Sequence, residues 1–283
     1  MARIAGGIST SHIPAIGGAI AKGLQQDAYW KPFFEAFPPV RSWLKEVRPD
    51  VAIIVYNDHG LNFFLDKLPT FAIGAAPSYG SSDEGWGIPT IPPVRGAPEL
   101  SWAIIEGVVA EEFDVTTCQE MLIDHAATVP LQLLWPEGNP PVAIVPVAVN
   151  TVQHPLPSPK RCLALGRAIH RAVAAYPVDL NVVVISTGGL SHQLDGQRAG
   201  FINPEFDRLC LDALVADPER LTGYSVADIV ELSGTQGVEI LNWIVARGIL
   251  GAQVRERHRT YHIPISNTAA AVQVLQPEGL KNS

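Results

Sequence analysis

Three apolar runs stand out along the chain, and each is followed by a polar turn that contains a histidine. The second and third runs carry no charge, and uncharged runs rich in β-branched residues predict strands that are buried on both faces. Ligands of open α/β sheets bind at the carboxyl ends of the strands, so the pattern predicts one polar site at one edge of a sheet. The runs and their histidines are Ala2–Ile8 with His12, Val51–Tyr56 with His59, and Leu180–Ile185 with His192.

Helical periodicity separates these strands, which predicts an α/β fold with a central mixed sheet flanked by helices and an active site at the strand carboxyl ends. We expect one catalytic domain over residues 1–283. Pro146 interrupts an apolar run and lacks a ladder donor, so its strand should be bulged or at an edge. Pro130 should precede a helix over Leu131–Leu134. Further helices are predicted over Pro98–Glu112, Ser158–Ala175 with Ser158 as N-cap, Pro204–Ala216, Ser225–Leu232 and Gln236–Ala246.

Residues 61–98 are rich in proline, glycine and serine. Loops of this length in compact domains usually carry function or form an interface. A linker is the alternative interpretation. The apolar segment Phe71–Gly74 within this stretch resembles another buried strand and favours the ordered loop, which could be a lid or the docking face of a partner.

Composition narrows the class of protein. Hydrophobic residues make up 47% of the chain, charged residues 17%, and the net charge is −8. No basic stripe is available to neutralise phosphates, so we expect no nucleic-acid partner. The three cysteines are widely spaced and indicate neither a disulfide framework nor a thiolate metal site. Without a signal peptide or a membrane-length apolar run, we expect a soluble, cytoplasmic protein.

Candidate chemistry rests on four histidines that lie beside apolar segments, and on one carboxylate. His125 joins His12, His59 and His192 in this placement. Glu239 lies in a stretch that is apolar on most sides, and burying an unpaired carboxylate is costly. Its partner is therefore either an arginine or lysine, or a metal ion.

Two histidines and one carboxylate form the facial ligand set of non-haem Fe(II) sites. The chain has no His-Glu-x-x-His helix of the zinc protease type. Composition alone leaves a zinc hydrolase with the same ligands as an alternative. Ser191 beside His192 is a weak candidate nucleophile, because adjacent residues point apart.

Several segments together resemble the class III, LigB-type extradiol dioxygenases, in the manner of the β subunits that cleave protocatechuate at the 4,5 bond. The resemblance runs in unbroken order from about residue 1 to 278. The segments are Ser11-His12-Ile13-Pro14, Tyr56-Asn57-Asp58-His59, Asp83-Glu84-Gly85-Trp86-Gly87, Asp124-His125, Thr187–Leu194, Arg198-Ala199-Gly200, Gly237-Val238-Glu239 and Tyr261–Ala269.

The resemblance implies that His12, His59 and Glu239 hold Fe(II). It implies that His192 is the acid/base residue, that His125 lies near the substrate and that Ser266 and Asn267 line the substrate pocket. The list of implied site residues is thus His12, His59, His125, His192, Glu239, Ser266 and Asn267.

The resemblance also implies a reaction and a partner. The substrate would be a catechol-type aromatic acid cleaved with O2, and protocatechuate would give 4-carboxy-2-hydroxymuconate semialdehyde. A small helical α subunit would form the active-site lid in an α2β2 hetero-tetramer, because the chain has no room for a fused lid domain. Gallate or another catechol acid is the alternative substrate, and a non-catalytic binding protein on the same scaffold is the alternative of another class.

Overall fold

A computed structural model describes residues 1–279, and of residue 264 only the backbone. An eight-stranded mixed sheet organises this part of the chain, in the order β6-β3-β7-β2-β8-β1-β10-β9. Its strands are β1 (Arg3–Thr10), β2 (Val51–Tyr56), β3 (Phe71–Gly74), β6 (Thr116–Cys118), β7 (Ala143–Val149), β8 (Asn181–Thr187), β9 (Val254–Ile265) and β10 (Thr268–Pro277). The short strands β4 (Ser78–Tyr79) and β5 (Val94–Arg95) pair separately within the loop of residues 61–98.

Helices cover both faces of the sheet. The face that carries the side chains of Ile53 and Val55 packs against α4, α6, α7, α9 and α10. The alternate residues Ile54 and Tyr56 pack against α1, α2, α3 and α5. The helices are α1 (Pro14–Ala21), α2 (Lys31–Phe34), α3 (Phe37–Val47), α4 (Pro98–Ala110), α5 (His125–Leu134), α6 (Pro159–Ala175), α7 (Pro204–Ala216), α8 (Glu219–Thr222), α9 (Val226–Ser233) and α10 (Ile240–Ile249).

The period of two in a strand explains this layering. Every residue of β2 is buried, and successive side chains enter opposite cores. The four central strands β7, β2, β8 and β1 run parallel. Their carboxyl ends therefore lie along one edge, and the predicted fold class is confirmed. No helix within residues 1–279 is long and apolar enough to cross a membrane. Residues 280–283 of the expected domain lie outside the described residues.

The prediction for the strand around Pro146 is wrong. β7 is an interior strand, and its pairing with β2 runs without a register shift through Ile54–Pro146. The pairing with β3 covers only Val147–Val149. On the side of β7 that faces β3, Ile144 O accepts from Ala97 N. Backbone groups of residues two apart in a strand point to the same side, so those of Pro146 also point to the β3 side. The nitrogen of Pro146 therefore faces a position where β3 does not pair with β7, so the missing N–H removes no hydrogen bond between these strands.

The prediction that α5 begins after Pro130 is also wrong. The helix begins at His125, because the Asp124 side chain caps it by accepting from Ala126 N at 3.0 Å. All of its residues except Gln132 are buried. Burial and the cap thus outweigh the cost of a proline inside a helix, which is about 3 kcal/mol.

Candidate active site

Three neighbouring parallel strands deliver three of the predicted histidines to one edge of the sheet. His12 follows β1, His59 follows β2, and His192 follows β8. Glu239 is not on a strand end. It lies at the end of the 3-10 turn Gly237–Glu239, which leads into α10. Gly189 N donates to Glu239 Oε2 at 2.7 Å, which ties the turn to the loop after β8.

Glu239 brings its carboxylate against two imidazoles. Glu239 Oε1 lies 3.3 Å from His12 Nε2 and 3.7 Å from His59 Nε2. Ligand atoms bound at about 2.0–2.2 Å on adjacent positions of one ion stand roughly 3 Å apart. The distances from the Glu239 carboxylate to both imidazoles are therefore close to those between ligands of one ion. The donor set, two imidazoles and a carboxylate, is that of a facial Fe(II) site.

All four predicted histidines direct the same ring nitrogen away from the centre. In each ring a hydrogen-bond partner engages Nδ1, which leaves Nε2 as the nitrogen for a metal ion or a substrate proton. The partners are Thr187 Oγ1 for His12 at 3.0 Å, Asp124 Oδ2 for His59 at 2.9 Å, Glu84 Oε1 for His125 at 2.8 Å and Leu190 O for His192 at 2.9 Å. The carboxylates and the carbonyl only accept, so His59, His125 and His192 carry a proton on Nδ1, and each offers a lone pair on Nε2 when the ring is neutral.

Asp124 orients His59 twice. Its Oδ2 accepts from both the backbone N–H and the Nδ1–H of His59, while Oδ1 caps α5. Burial disfavours charge on His59, but the hydrogen bond to Asp124 and the attraction of the Glu239 carboxylate prevail and raise the pKa of His59 to about 10. Burial likewise opposes the charge on Asp124, yet the hydrogen bond from His59 keeps the pKa of Asp124 below its ordinary value. Such a carboxylate behind a metal-bound imidazole increases the basicity of the ligand.

Glu239 is buried and ionised. Burial alone would raise its pKa, but His12 and His59 hold the pKa of Glu239 well below its ordinary value. Burial is also the main influence on His12, whose pKa is lowered despite the attraction of Glu239. No arginine or lysine within residues 1–279 forms an ion pair with Glu239. The interpretation of Glu239 as half of an ordinary ion pair with an arginine or lysine therefore loses its support.

Two buried asparagines support Glu239 from behind. Asn242 Nδ2 donates to Thr187 O at 3.0 Å and to Asn57 Oδ1 at 2.9 Å. The carbonyl of Thr187 accepts only, so it fixes the orientation of Asn242, which in turn fixes that of Asn57. Asn57 Nδ2 consequently lies 3.1 Å from Glu239 Oε1, to which it donates, and 3.1 Å from His59 Nε2. A hydrogen-bond donor beside the carboxylate favours its ionised form.

A cavity of about 700 Å³ opens over these groups. All five residues predicted for metal binding and catalysis line it, and so does Ser266. Asn267 is not among the residues that line it; the residue is exposed and its Oδ1 is near Gly200. No lysine or arginine lines the cavity within the described part of the chain, so a carboxylate on a bound ligand would meet neutral donors there.

His125 offers a second possible metal grouping. One ring nitrogen of each of His12, His59 and His125 lies within 4.8 Å of the others, and the same holds for one donor atom of each of Glu84, Asp124 and His125. In the second group both carboxylates already accept hydrogen bonds from N–H groups. We therefore interpret that group as a hydrogen-bonded support and not as a metal site.

Sequence reasoning missed the residues that orient the site. Four residues hold the site residues in orientation: Asp124, Asn57, Asn242 and Glu84. Of these, only Asn57 lines the cavity. Only Asp124 carried a local signal, because an aspartate before an apolar helix is a common N-cap. The others depend on pairings across the fold, such as the 185 residues between Asn57 and Asn242.

Comparison with known proteins adds the family. A model of the catalytic LigB subunit of aromatic ring-opening dioxygenase matches residues 6–273. The chain is 41% identical over 196 residues to a gallate dioxygenase of Pseudomonas putida, which covers 69% of this chain and 57% of that protein. It is 30% identical over 201 residues to a 2,3-dihydroxyphenylpropionate/2,3-dihydroxicinnamic acid 1,2-dioxygenase of Photorhabdus laumondii, covering 71% and 60%. The chain thus spans under two thirds of the length of both relatives.

Among solved structures, the uncharacterized protein JW3007 from Escherichia coli K12 has a TM-score of 0.55, with 11% identity over 95% of this chain and 99% of that one. This likeness supports the fold alone. The family match covers nearly the whole chain, and the carboxyl-edge histidines and Glu239 fall inside it. The chain therefore belongs to the family of catalytic LigB subunits of aromatic ring-opening dioxygenases.

Proposed function

We propose that the chain is an extradiol dioxygenase that opens gallate, or a closely related catechol acid, with O2. His12, His59 and Glu239 would hold Fe(II). The observation that carries the proposal is the common orientation of the four imidazoles, each of which has its Nδ1 engaged by a hydrogen-bond partner and its Nε2 left for a metal ion or a substrate, beside a buried, ionised carboxylate. Bound Fe(II) would supply Lewis-acid polarisation of two adjacent ring hydroxyls and a position for O2.

The chain's own groups would manage the protons. His192 Nε2 lies 3.9 Å from Glu239 Oε2, so it stands beside the proposed metal ligands in the cavity. Its Nδ1–H is held by Leu190 O, which leaves Nε2 to accept a proton from a substrate hydroxyl and to return it as the ring opens. His125 lines the same cavity and would accept a hydrogen bond from a second substrate oxygen.

Gallate is our first choice of substrate because the gallate dioxygenase of Pseudomonas putida is 41% identical to the chain. Protocatechuate, cleaved at the 4,5 bond, is the second choice because of the sequence segments described above. The two acids differ by one hydroxyl, and a pocket rejects an added hydroxyl poorly unless it is tightly walled. Ser266, at the cavity, is the candidate donor to the ring carboxylate, and Asn267 would need to turn inward to assist.

We also propose that a small helical subunit covers the cavity, in an α2β2 assembly. Three exposed apolar side chains surround the opening: Trp86, Val152 and Leu194. Exposed apolar groups clustered around an opening are typical of interaction sites. Mass measurement in solution with and without a candidate α subunit tests this assembly.

Oxygen uptake tests the activity. Protein loaded anaerobically with Fe(II) should consume O2 with gallate and protocatechuate, faster than with unsubstituted catechol, and yield a ring-opened product. Zn²⁺-loaded protein is the control, because zinc has no redox chemistry. Absence of uptake with every catechol would reject the proposal in favour of a binding protein, and ester or amide hydrolysis by the zinc form would favour a hydrolase.

A further inference from the structure

Glu84, in the loop of residues 61–98, accepts two hydrogen bonds from His125. Its Oε2 accepts from the backbone N–H of His125 at 2.6 Å, and its Oε1 accepts from Nδ1–H at 2.8 Å. Both side chains are largely buried, with exposed fractions of 14% for Glu84 and 2% for His125. His125 is also the first residue of α5, where the helix dipole favours a negative charge.

These two hydrogen bonds determine which ring nitrogen of His125 carries the proton. A carboxylate offers two acceptors, and here it faces two donors, the backbone N–H and Nδ1–H. The opposite tautomer would set a lone pair of Nδ1 against Glu84 Oε1. Nε2, which has no hydrogen-bond partner within residues 1–279, therefore presents a lone pair on a side chain that lines the cavity.

Glu84 differs in origin from the other groups that orient imidazoles. Thr187 ends a central strand, Leu190 follows it closely, and Asp124 caps α5. Glu84 belongs to a long loop, two residues before Trp86, whose ring lies 6.5 Å from that of His125 and lines the cavity. The loop is thus a wall of the cavity, and Glu84 is its attachment to the active site.

We propose that Glu84 is a positioning residue that fixes the tautomer of His125, and so makes the cavity select a substrate hydroxyl over a methyl ether at that position. The selectivity rests on the proposed function, because it concerns a phenolic substrate. An O–H group donates to the Nε2 lone pair. An ether oxygen brings a second lone pair, which leaves both groups without a partner where the bound ligand excludes water from the contact, and an unsatisfied buried group is costly.

The test uses Glu84→Gln, which keeps the shape but replaces one acceptor with a donor. The amide oxygen should take the His125 backbone N–H, so the NH2 group faces Nδ1 and the proton moves to Nε2. Nitrogen-15 NMR of histidine-labelled, Zn²⁺-loaded protein should report Nδ1–H in the parent and Nε2–H in the variant. The preference in kcat/KM for 3,4,5-trihydroxybenzoate over its 3-O-methyl ether should fall by about 10-fold, equivalent to one unsatisfied hydrogen bond.

Asp83→Asn is the matched control, since Asp83 makes the same kind of loop contact, to Gly85 N at 2.8 Å, without touching His125. It should change neither the tautomer nor the preference. The proposal is overturned if Glu84→Gln keeps the parent tautomer, if the tautomer inverts without a change in preference, or if Asp83→Asn has an equal effect. Should the protein consume no O2, the tautomer and the binding of both compounds to the Zn²⁺ form still test the role of Glu84 separately.

Discussion

Two cavities lie at opposite ends of the central strands, and the larger is not the one with the chemistry. At the amino ends, a groove of about 940 Å³ runs between α3 and the segment after α5, and Arg41, Lys45 and Arg48 line it. The cavity at the carboxyl ends is smaller, about 700 Å³. Lys45 and Arg48 are exposed in the groove, and the half-buried Arg41 donates to Leu133 O at 2.8 Å, whereas the carboxyl-end cavity gathers imidazoles and a carboxylate whose orientations are fixed by hydrogen bonds. Orientation, more than volume, therefore distinguishes the candidate active site.

The largest effect should follow loss of a metal ligand. His12→Ala or Glu239→Gln removes one of the three proposed ligands, of which Glu239 lies 3.3 Å from His12 and 3.7 Å from His59, so the variants should lose bound iron and with it all measurable turnover. Metal analysis of anaerobically purified protein measures this, and circular dichroism confirms that the fold is kept. A folded Glu239→Gln variant with full iron content would remove Glu239 from the ligand set.

Changing His192 should separate turnover from metal binding. His192→Phe keeps a ring in the cavity but removes the Nε2 acceptor, so turnover should fall on the order of 10²-fold or more while iron content stays unchanged. Metal analysis and oxygen uptake on the same preparation provide both values. Unchanged turnover, or loss of iron together with activity, would contradict an acid/base role.

Asp124→Asn should weaken the site by an intermediate amount. Asparagine is also a good N-cap, so α5 should persist, but His59 loses its carboxylate partner. Loss of such a partner typically costs 10–100-fold in metal affinity. Competition with a chelator measures the affinity, and Asp58→Asn is unsuitable as a control because Asp58 accepts hydrogen bonds from the loop that follows His59. Asp83→Asn, outside this network, serves instead.

The same pair gives the metal-free protein a predictable dependence of stability on pH. The pKa of His59 in the fold, about 10, exceeds the ordinary value of about 6.5, so its stabilising contribution is complete below about pH 6.5 and declines to nothing as the pH rises to about 10. The pKa of Asp124 is lowered, so its contribution is complete above about pH 4 and is lost on further acidification. The melting temperature should therefore fall less steeply from pH 6.5 to 10 in Asp124→Asn than in the parent. Equal slopes would contradict the pairing of His59 with Asp124.

The smallest effect should come from the amino-end groove. Lys45 is exposed and lines that groove, so Lys45→Gln should leave iron content and turnover unchanged and shift the free energy of unfolding by no more than about 0.5 kcal/mol. Denaturant unfolding and oxygen uptake measure these quantities. A marked loss of turnover would mean that the groove at the amino ends is energetically coupled to the cavity at the carboxyl ends.

The parts of this fold that could be predicted from the sequence are those that local pattern determines. Val51–Tyr56 and Pro204–Ala216 have the predicted bounds, and Ser158 caps α6 through Arg161 N as expected. The errors at Pro130 and Pro146 share one cause. A local rule about proline gave way to tertiary context, a buried capped helix in one case and an interrupted ladder in the other.

The site divides in the same way. Histidines at strand ends are visible in the sequence because their position follows from the strand pattern. Their orientation is not visible for three of the four, because the partner of Nδ1 is distant in the sequence: Thr187 lies 175 residues from His12, Asp124 lies 65 from His59, and Glu84 lies 41 from His125. Sequence patterns therefore predict which imidazoles gather, whereas only the structure indicates which nitrogen each one offers.

The hairpin between β9 and β10 limits how this cavity can change over evolution. Ser266 and Asn267 are its two turn residues, and both have positive φ, 50° and 61°. A turn with two such residues admits glycine, asparagine and aspartate readily, and bulky or β-branched residues poorly. Because Ser266 also lines the cavity, few side chains can replace it without straining the backbone. Adaptation to differently sized substrates should therefore occur in the loop that carries Glu84 and Trp86, while the hairpin varies little among relatives.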